Sequence, residues 1–319
     1  MHTLPAPVRR LTMPMSLLHR FRRAAVLSCL ALVATGAWAA QDPAQVTGQL
    51  NAALVVDLSD EKVLYAHREH EPVDPASLVK MMVALLAMER IERGELHLDD
   101  TYTVSAAASR IGGHQIYLKH GEVFPLRDLL KSVIIASAND AAFAVAEHIG
   151  GSQETFVAMM NARARQLGMR DTQFTNAHGL PPDRRKGQKP NRTSAHDLAI
   201  VAKALMKYPL VREWAATRLD YVRDGSFMLT NTNHRFLQRF EGADGFKTGY
   251  HPRGAGFSVV ATATRDGRSL LAVVLGAPSG KVRTNAAMRL LEWGFADRQA
   301  APAMTASADT ADVGAFEVD

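Results

Sequence analysis

The chain has 319 residues, 47% of them apolar and 22% charged, with a formal net charge of +5. That is ample for one large domain, with room for a second lobe sharing its cleft. The excess charge resides in Arg9, Arg10, Arg20, Arg22 and Arg23, ahead of the first acid at Asp42, so the remainder is neutral and makes no case for nucleic-acid binding or electrostatic adhesion to a membrane.

Those arginines precede an apolar run over residues 24–37, and Ala37-Trp38-Ala39 supplies the small residues that a signal peptidase needs. The run is shorter than the ~20 residues that span a bilayer. Residues 1–39 therefore read as a cleaved signal peptide, and the protein as exported to the periplasm with no firm membrane anchor. Cys29, the sole cysteine, lies inside this leader, which leaves the mature chain without disulfide or thiolate chemistry.

Residues 52–58 and 62–66 are predicted strands joined by the turn Ser59-Asp60-Glu61. A helix is expected over 75–93, with Asp74 as cap, Pro75 in the first turn and Gly94 at the end. Its apolar residues cover every face, which implies burial on all sides. Residues 129–136 and 141–149 read as two further apolar helices with Ser137-Ala138-Asn139-Asp140 at their junction. An amphipathic helix follows over 155–167, and Ser194 can cap another that runs to about residue 207. After Gly242 the periodicity changes to strands at 245–250, 256–264 and 269–275, with Asp266-Gly267 as a hairpin turn. A closing helix spans 283–295, and residues 299–319 are expected to form a disordered tail. The pattern predicts an α/β fold of the α+β type: a mainly antiparallel sheet flanked by helices, plus an all-helical lobe built from the insertion. Residues 40–298 form the expected catalytic domain.

Three short motifs carry the chemistry. Ser77-Leu78-Val79-Lys80 places a hydroxyl and an amine one helical turn apart on a shared face. Lys80 is the only charged residue between Pro75 and Met88, and burial there would lower its pKa and make it a general base for Ser77. The bland alternative is a lysine whose stem packs while its amine reaches water. Ser59-Asp60-Glu61-Lys62 repeats the spacing but sits in a polar hairpin turn and is set aside. Ser137 and Asn139 could relay a proton and orient a substrate amide, or simply break and cap helices. Lys247-Thr248-Gly249 could oppose protonation of Lys80, hold a carboxylate and, at Gly249, admit a substrate backbone; a surface lysine before a turn glycine is the plainer reading. The twelve histidines include no His-Glu-x-x-His, so no metal or other cofactor is expected.

Together the three motifs match the signature shared by serine β-lactamases and penicillin-binding proteins. Pro75-Ala-Ser-Leu-Val-Lys-Met-Met, Ile135-Ala-Ser-Ala-Asn-Asp-Ala-Ala, Asn176-Ala-His-Gly-Leu, Asp244-Gly-Phe-Lys-Thr-Gly-Tyr and Leu290-Leu-Glu-Trp-Gly-Phe extend it, so that the chain over about 52–296 resembles the low-molecular-mass penicillin-binding proteins of the serine D-alanyl-D-alanine carboxypeptidase family. The resemblance implies a β-lactamase/transpeptidase-like fold and removal of the terminal D-Ala from peptidoglycan stem peptides through an acyl-enzyme. It implies Ser77 as nucleophile, Lys80 as base, and Ser137 with Lys247 as proton donors to the leaving group. Asn139 would hold the substrate amide, Lys247, Thr248 and Gly249 would bind the substrate end, and the backbone amides of Ser77 and Tyr250 would form the oxyanion hole. β-Lactams would acylate the same serine. A DD-endopeptidase acting on cross-links and a penicillin-binding sensor without turnover are the alternatives. The chain departs from the family in having Ala138 where glycine is common and in the basic segment Arg184, Arg185, Lys186, Lys189 and Arg192, which would attract anionic wall polymer or merely be solvated. No Glu-x-x-Leu-Asn occurs, which disfavours rapid penicillin hydrolysis.

Overall fold

A computed structural model describes residues 42–299 apart from Arg184 and Lys186. The expected signal peptide and all but the first residue of the expected tail lie outside the described residues.

Helix α1 (Pro43–Thr47) leads into β1 (Ala52–Asp57) and β2 (Val63–His67). The chain returns much later as β7 (Ala243–His251), β8 (Gly256–Arg265) and β9 (Arg268–Ala277), then closes with the last helix, α9 (Gly280–Gln299). These strands form one antiparallel sheet in the order β2-β1-β9-β8-β7. Alternate residues of each strand project to opposite faces. Ala53, Val55, Val259, Ala261, Ala272 and Val274 pack with Ala286, Ala287, Leu290 and Leu291 of α9. Leu54, Val56, Val260, Leu271 and Val273 join the other core, which extends through the helices of the insertion. Both faces being covered, the central strands read as unbroken apolar runs rather than alternating ones.

Within the insertion, Ala76–Val79 is a 3-10 turn and α2 (Lys80–Glu92) continues from it. The predicted single helix over 75–93 is thus split just before Lys80. Asp74 accepts from the Ala76 amide at 2.9 Å, and Gly94 adopts φ +70° where the helix stops. Residues 80–88 are all buried, as the all-round apolar pattern predicted. Helices α3 (Leu126–Ile134) and α4 (Asn139–Gly150) flank the Ser137 junction; α5 (Gln153–Gln166) and α6 (Ala195–Leu205) complete the predicted set. Ser194 caps α6 by accepting from the Asp197 amide.

The lobe is not purely helical. β3 (Thr101–Thr103) pairs with β4 (Val123–Pro125), and β5 (Leu219–Val222) pairs with β6 (Phe227–Thr230). Two short helices, α7 (Pro209–Ala216) and α8 (His234–Arg239), sit on either side of that second hairpin. Each of these elements is too short for its periodicity to stand out.

Candidate active site

The site lies where the 3-10 turn and α2 meet the edge strand β7. The turn is held in a demanding conformation. Ala76 adopts φ +47°, a left-handed geometry that costs a non-glycine residue roughly 1–3 kcal/mol, and the Asp74 carboxylate secures the amide there. On the opposite side, Asp74 Oδ2 lies 3.0 Å from Nε2 of His251, the last residue of β7, without forming an aligned hydrogen bond.

Lys80 is fully buried. Its Nζ lies 2.8 Å from Ser77 Oγ, 2.7 Å from Asn139 Oδ1 and 2.6 Å from the His178 carbonyl oxygen. Asn139 Oδ1 and the carbonyl can only accept. A neutral amine gives one hydrogen to each and turns its lone pair to the serine hydroxyl. Burial, reinforced by the positive charge of Lys247 and opposed by Asp140, holds the Lys80 pKa well below the ordinary lysine range. The contacts accommodate the neutral amine, and burial and Lys247 favour it.

Asn139 opens α4, where its backbone amide donates to the His114 carbonyl and its Nδ2 to the Gly112 carbonyl, 2.8 Å away. The next residue, Asp140, is buried and accepts from the amides of Ile116, Leu118 and Ala141. These bonds fix the 112–118 segment against the head of α4. Ser137 is buried two residues before Asn139 with φ +61°; among the described residues its hydroxyl makes no hydrogen bond.

Lys247 is 1% exposed, its Nζ 3.3 Å from the Thr248 carbonyl oxygen. Burial, and then the nearby guanidinium of Arg283, bring its pKa down to about 7. Thr248 Oγ1 is 2.7 Å from Thr232 Oγ1. Gly249 has a structural duty: a Cβ there would stand 2.6 Å from the Pro75 carbonyl oxygen and 3.1 Å from Leu78 Cγ. The close neighbour that demands glycine is the turn that carries Ser77, where the sequence reading looked to a substrate backbone. Tyr250 projects into solvent and stacks on Phe257 with ring centroids 4.0 Å apart.

Sequence reasoning missed three contributors. Arg283, in the first turn of α9, was read only as the start of a helix. Its Nε is buried without a hydrogen-bond partner, and burial together with Arg235 lowers its pKa to about 10. Its Nη2 donates to Thr284 Oγ1 at 3.2 Å, and its charge is felt at Lys247. His178 supplies a carbonyl to Lys80, while its ring, accepting from the Leu180 amide at Nδ1 and driven by burial and Lys80 to a pKa of about 4, stays neutral. Gly179 then packs so tightly on the Ala76 carbonyl that no side chain fits there. Asn176-Ala-His-Gly-Leu was the available signal for that wall; nothing local announced Arg283 or the brace at Asp140. Of the basic segment, Arg185, Lys189 and Arg192 are described and exposed, whereas Arg184 and Lys186 lie outside the described residues.

The arrangement can support acyl transfer: a hydroxyl beside an amine whose charge burial disfavours, a cationic corner at Lys247 and Arg283, and the edge strand β7. No group of three or more His, Cys, Asp or Glu side chains among the described residues has the arrangement of a metal site. No helix among them is long and apolar enough to cross a membrane.

A family model described as D-alanyl-D-alanine carboxypeptidase matches residues 38–279. The chain is 36% identical over 275 residues to D-alanyl-D-alanine carboxypeptidase DacF of Bacillus subtilis, covering 84% of this chain and 69% of that protein. It is 34% identical over 273 residues to DacC of Escherichia coli, covering 83% and 66%. It thus spans about two thirds of the length of these curated relatives. Among solved structures, penicillin-binding protein 6B from Escherichia coli aligns with a TM-score of 0.71 at 32% identity over 77% of each chain. A penicillin-binding protein from Listeria monocytogenes in its ampicillin-bound form aligns with a TM-score of 0.70 at 30% identity, over 77% of this chain and 98% of that one.

Proposed function

The chain belongs to the D-alanyl-D-alanine carboxypeptidase family, and from that membership we propose that it is a serine hydrolase that removes the terminal D-alanine from peptidoglycan stem peptides. The observation that carries the reading is Lys80 Nζ, fully buried and 2.8 Å from Ser77 Oγ.

In this mechanism the substrate lies along the edge of β7, its terminal carboxylate held by Lys247, Thr248 and Arg283. The backbone of Gly249 lines its path. Asn139, with one Nδ2 hydrogen committed to Gly112, offers the other to a substrate amide. Ser77 Oγ attacks the penultimate carbonyl carbon as Lys80 takes its proton, a transfer worth roughly 10²–10⁴ in rate. The amides of Ser77 and Tyr250 receive the oxyanion; removing one such donor costs about 2.7–4 kcal/mol in known cases. The proton passes from Lys80 through Ser137, with Lys247 beside it, to the departing amine; the C–N bond breaks and Lys80 is neutral again. Water then attacks the acyl-enzyme, giving a proton to Lys80, which returns it to Ser77 Oγ as the ester bond breaks. β-Lactams acylate Ser77 by the same route, a reading supported by the ampicillin-bound neighbour. Residues 40–298 form the catalytic domain, delivered to the periplasm by the leader.

The test is release of D-alanine from a muropeptide pentapeptide by the wild type beside Ser77→Ala. Release by the wild type alone is expected; a folded, inactive wild type would reject the reading.

A further inference from the structure

Two segments that begin at the site reach a common groove. One starts at His178, whose carbonyl touches Lys80, and continues through Leu180 to Pro181, Pro182 and Asp183, with Arg185 beyond. The other starts at Tyr250 and passes His251 into the turn that joins β7 to β8. Their outer parts enclose a groove lined by Pro181, Pro182, Asp183, Arg185, Arg253 and Gly254. It carries an exposed arginine on each wall, and neither arginine is ion-paired with a described residue. Asp183 is the one acid in the lining, and its Oδ1 accepts from the Arg185 amide at 3.1 Å.

The direction of the substrate decides what enters this groove. With the terminal carboxylate at Lys247 and Thr248, and the scissile carbonyl oxygen at the Tyr250 amide, the upstream chain must continue past His251 towards Arg253. An extended peptide advances about 3.3 Å per residue, as the strand does. The first residues upstream of the two alanines therefore arrive between Arg253 and Arg185. A carboxylate there meets a guanidinium from either side, an arrangement suited to charge-assisted hydrogen bonds. A neutral side chain gains nothing comparable, and a cationic one is repelled.

We propose that this groove is a substrate subsite selecting a peptide with a carboxylate-bearing residue immediately upstream of the D-alanine pair. The inference rests on the carboxypeptidase reading and adds to it a preference in substrate class.

Two N-acetylated tripeptides, with glutamate or glutamine before D-Ala-D-Ala, test it by initial rates of D-alanine release. The wild type at low salt should show a KM about two- to fivefold lower for the glutamate peptide, the range expected of solvent-exposed ion pairs. That KM ratio should fall towards one in Arg253→Ala and in Arg185→Ala, and in the wild type at about 0.5 M salt, where screening shortens the reach of exposed charges. Arg253→Glu should invert it. Equal KM values in the wild type, or a preference that survives both alanine substitutions, would overturn the subsite while leaving the hydrolase reading intact. Release from neither peptide would overturn the hydrolase reading and the subsite with it.

Discussion

Asn139 Oδ1 accepts a hydrogen from Lys80 Nζ at 2.7 Å, so the asparagine is a direct neighbour of the amine proposed as base. An uncharged acceptor at this distance orients the amine and favours its protonated form far less than a carboxylate would.

Asn139→Asp should undo that distinction at nearly constant shape. A carboxylate beside a buried amine raises its pKa, typically by 1–3 units for a close opposite charge. Acylation by a fluorescent penicillin at neutral pH should slow by about ten- to a thousandfold by the same measure. The rate should recover as pH rises. A loss that does not depend on pH would mean that the asparagine acts only on the ligand.

Ser77→Ala should abolish covalent labelling by the same penicillin, and Ser59→Ala should leave it unchanged. Lys80→Ala should slow labelling by roughly 10²–10⁴, the usual worth of a positioned base. Its thermal transition should be preserved, because the substitution also removes a buried amine. Equal labelling of all three variants would refute the assignment.

Lys247 has a consequence for stability as well as binding. Its pKa is about 7 in the folded protein against an ordinary lysine value of 10.5. Between these values the unfolded chain binds the extra proton, so folding stability rises with pH across the window and is lost as pH falls through it. Below about 7 the cost is fully present and levels off. Comparing denaturant midpoints of the wild type and Lys247→Met from pH 7 to 10 reads this contribution together with the change it brings at Lys80. The wild type should gain on the variant as pH rises; a constant difference would contradict the buried, depressed amine.

Gly249→Ala should be more damaging than its size suggests. The added methyl would meet the Pro75 carbonyl oxygen and Leu78, which belong to the nucleophile's turn rather than to a flexible side chain. We expect about 1–3 kcal/mol of destabilisation, as for other overpacked sites, with loss of acylation greater than the loss of fold. Gly267→Ala, in the β8–β9 turn at φ +77° with open space around it, should lower stability alone. Urea melts beside penicillin-labelling rates separate the two effects.

The sequence made the nucleophile and base legible because both lie within one turn of chain in an apolar setting that needs no partner to be noticed. Lys247 was legible through its motif, and the three closing strands through length and the Asp266-Gly267 turn. Arg283 was not. It reaches Lys247 only because the hairpin of β8 and β9 brings the chain back, a tertiary event with no local trace. Asp140 likewise works by bonds to amides more than twenty residues away. The β5–β6 hairpin was a different kind of miss. Asp224-Gly225 is a turn signal, and both residues adopt positive φ, but four-residue strands gave it too little support to be recognised. The split at Val79 escaped because helical propensity does not register the contact of Gly249 with Pro75.

The amine at position 80 has its reactivity only while its seat stays dry. Such a catalyst can be disarmed by a leak before it is broken by collapse. As the protein is warmed, the first water to work its way between α2 and β7 would return the amine to its familiar ammonium state. Activity should therefore fade at temperatures where the fold still stands.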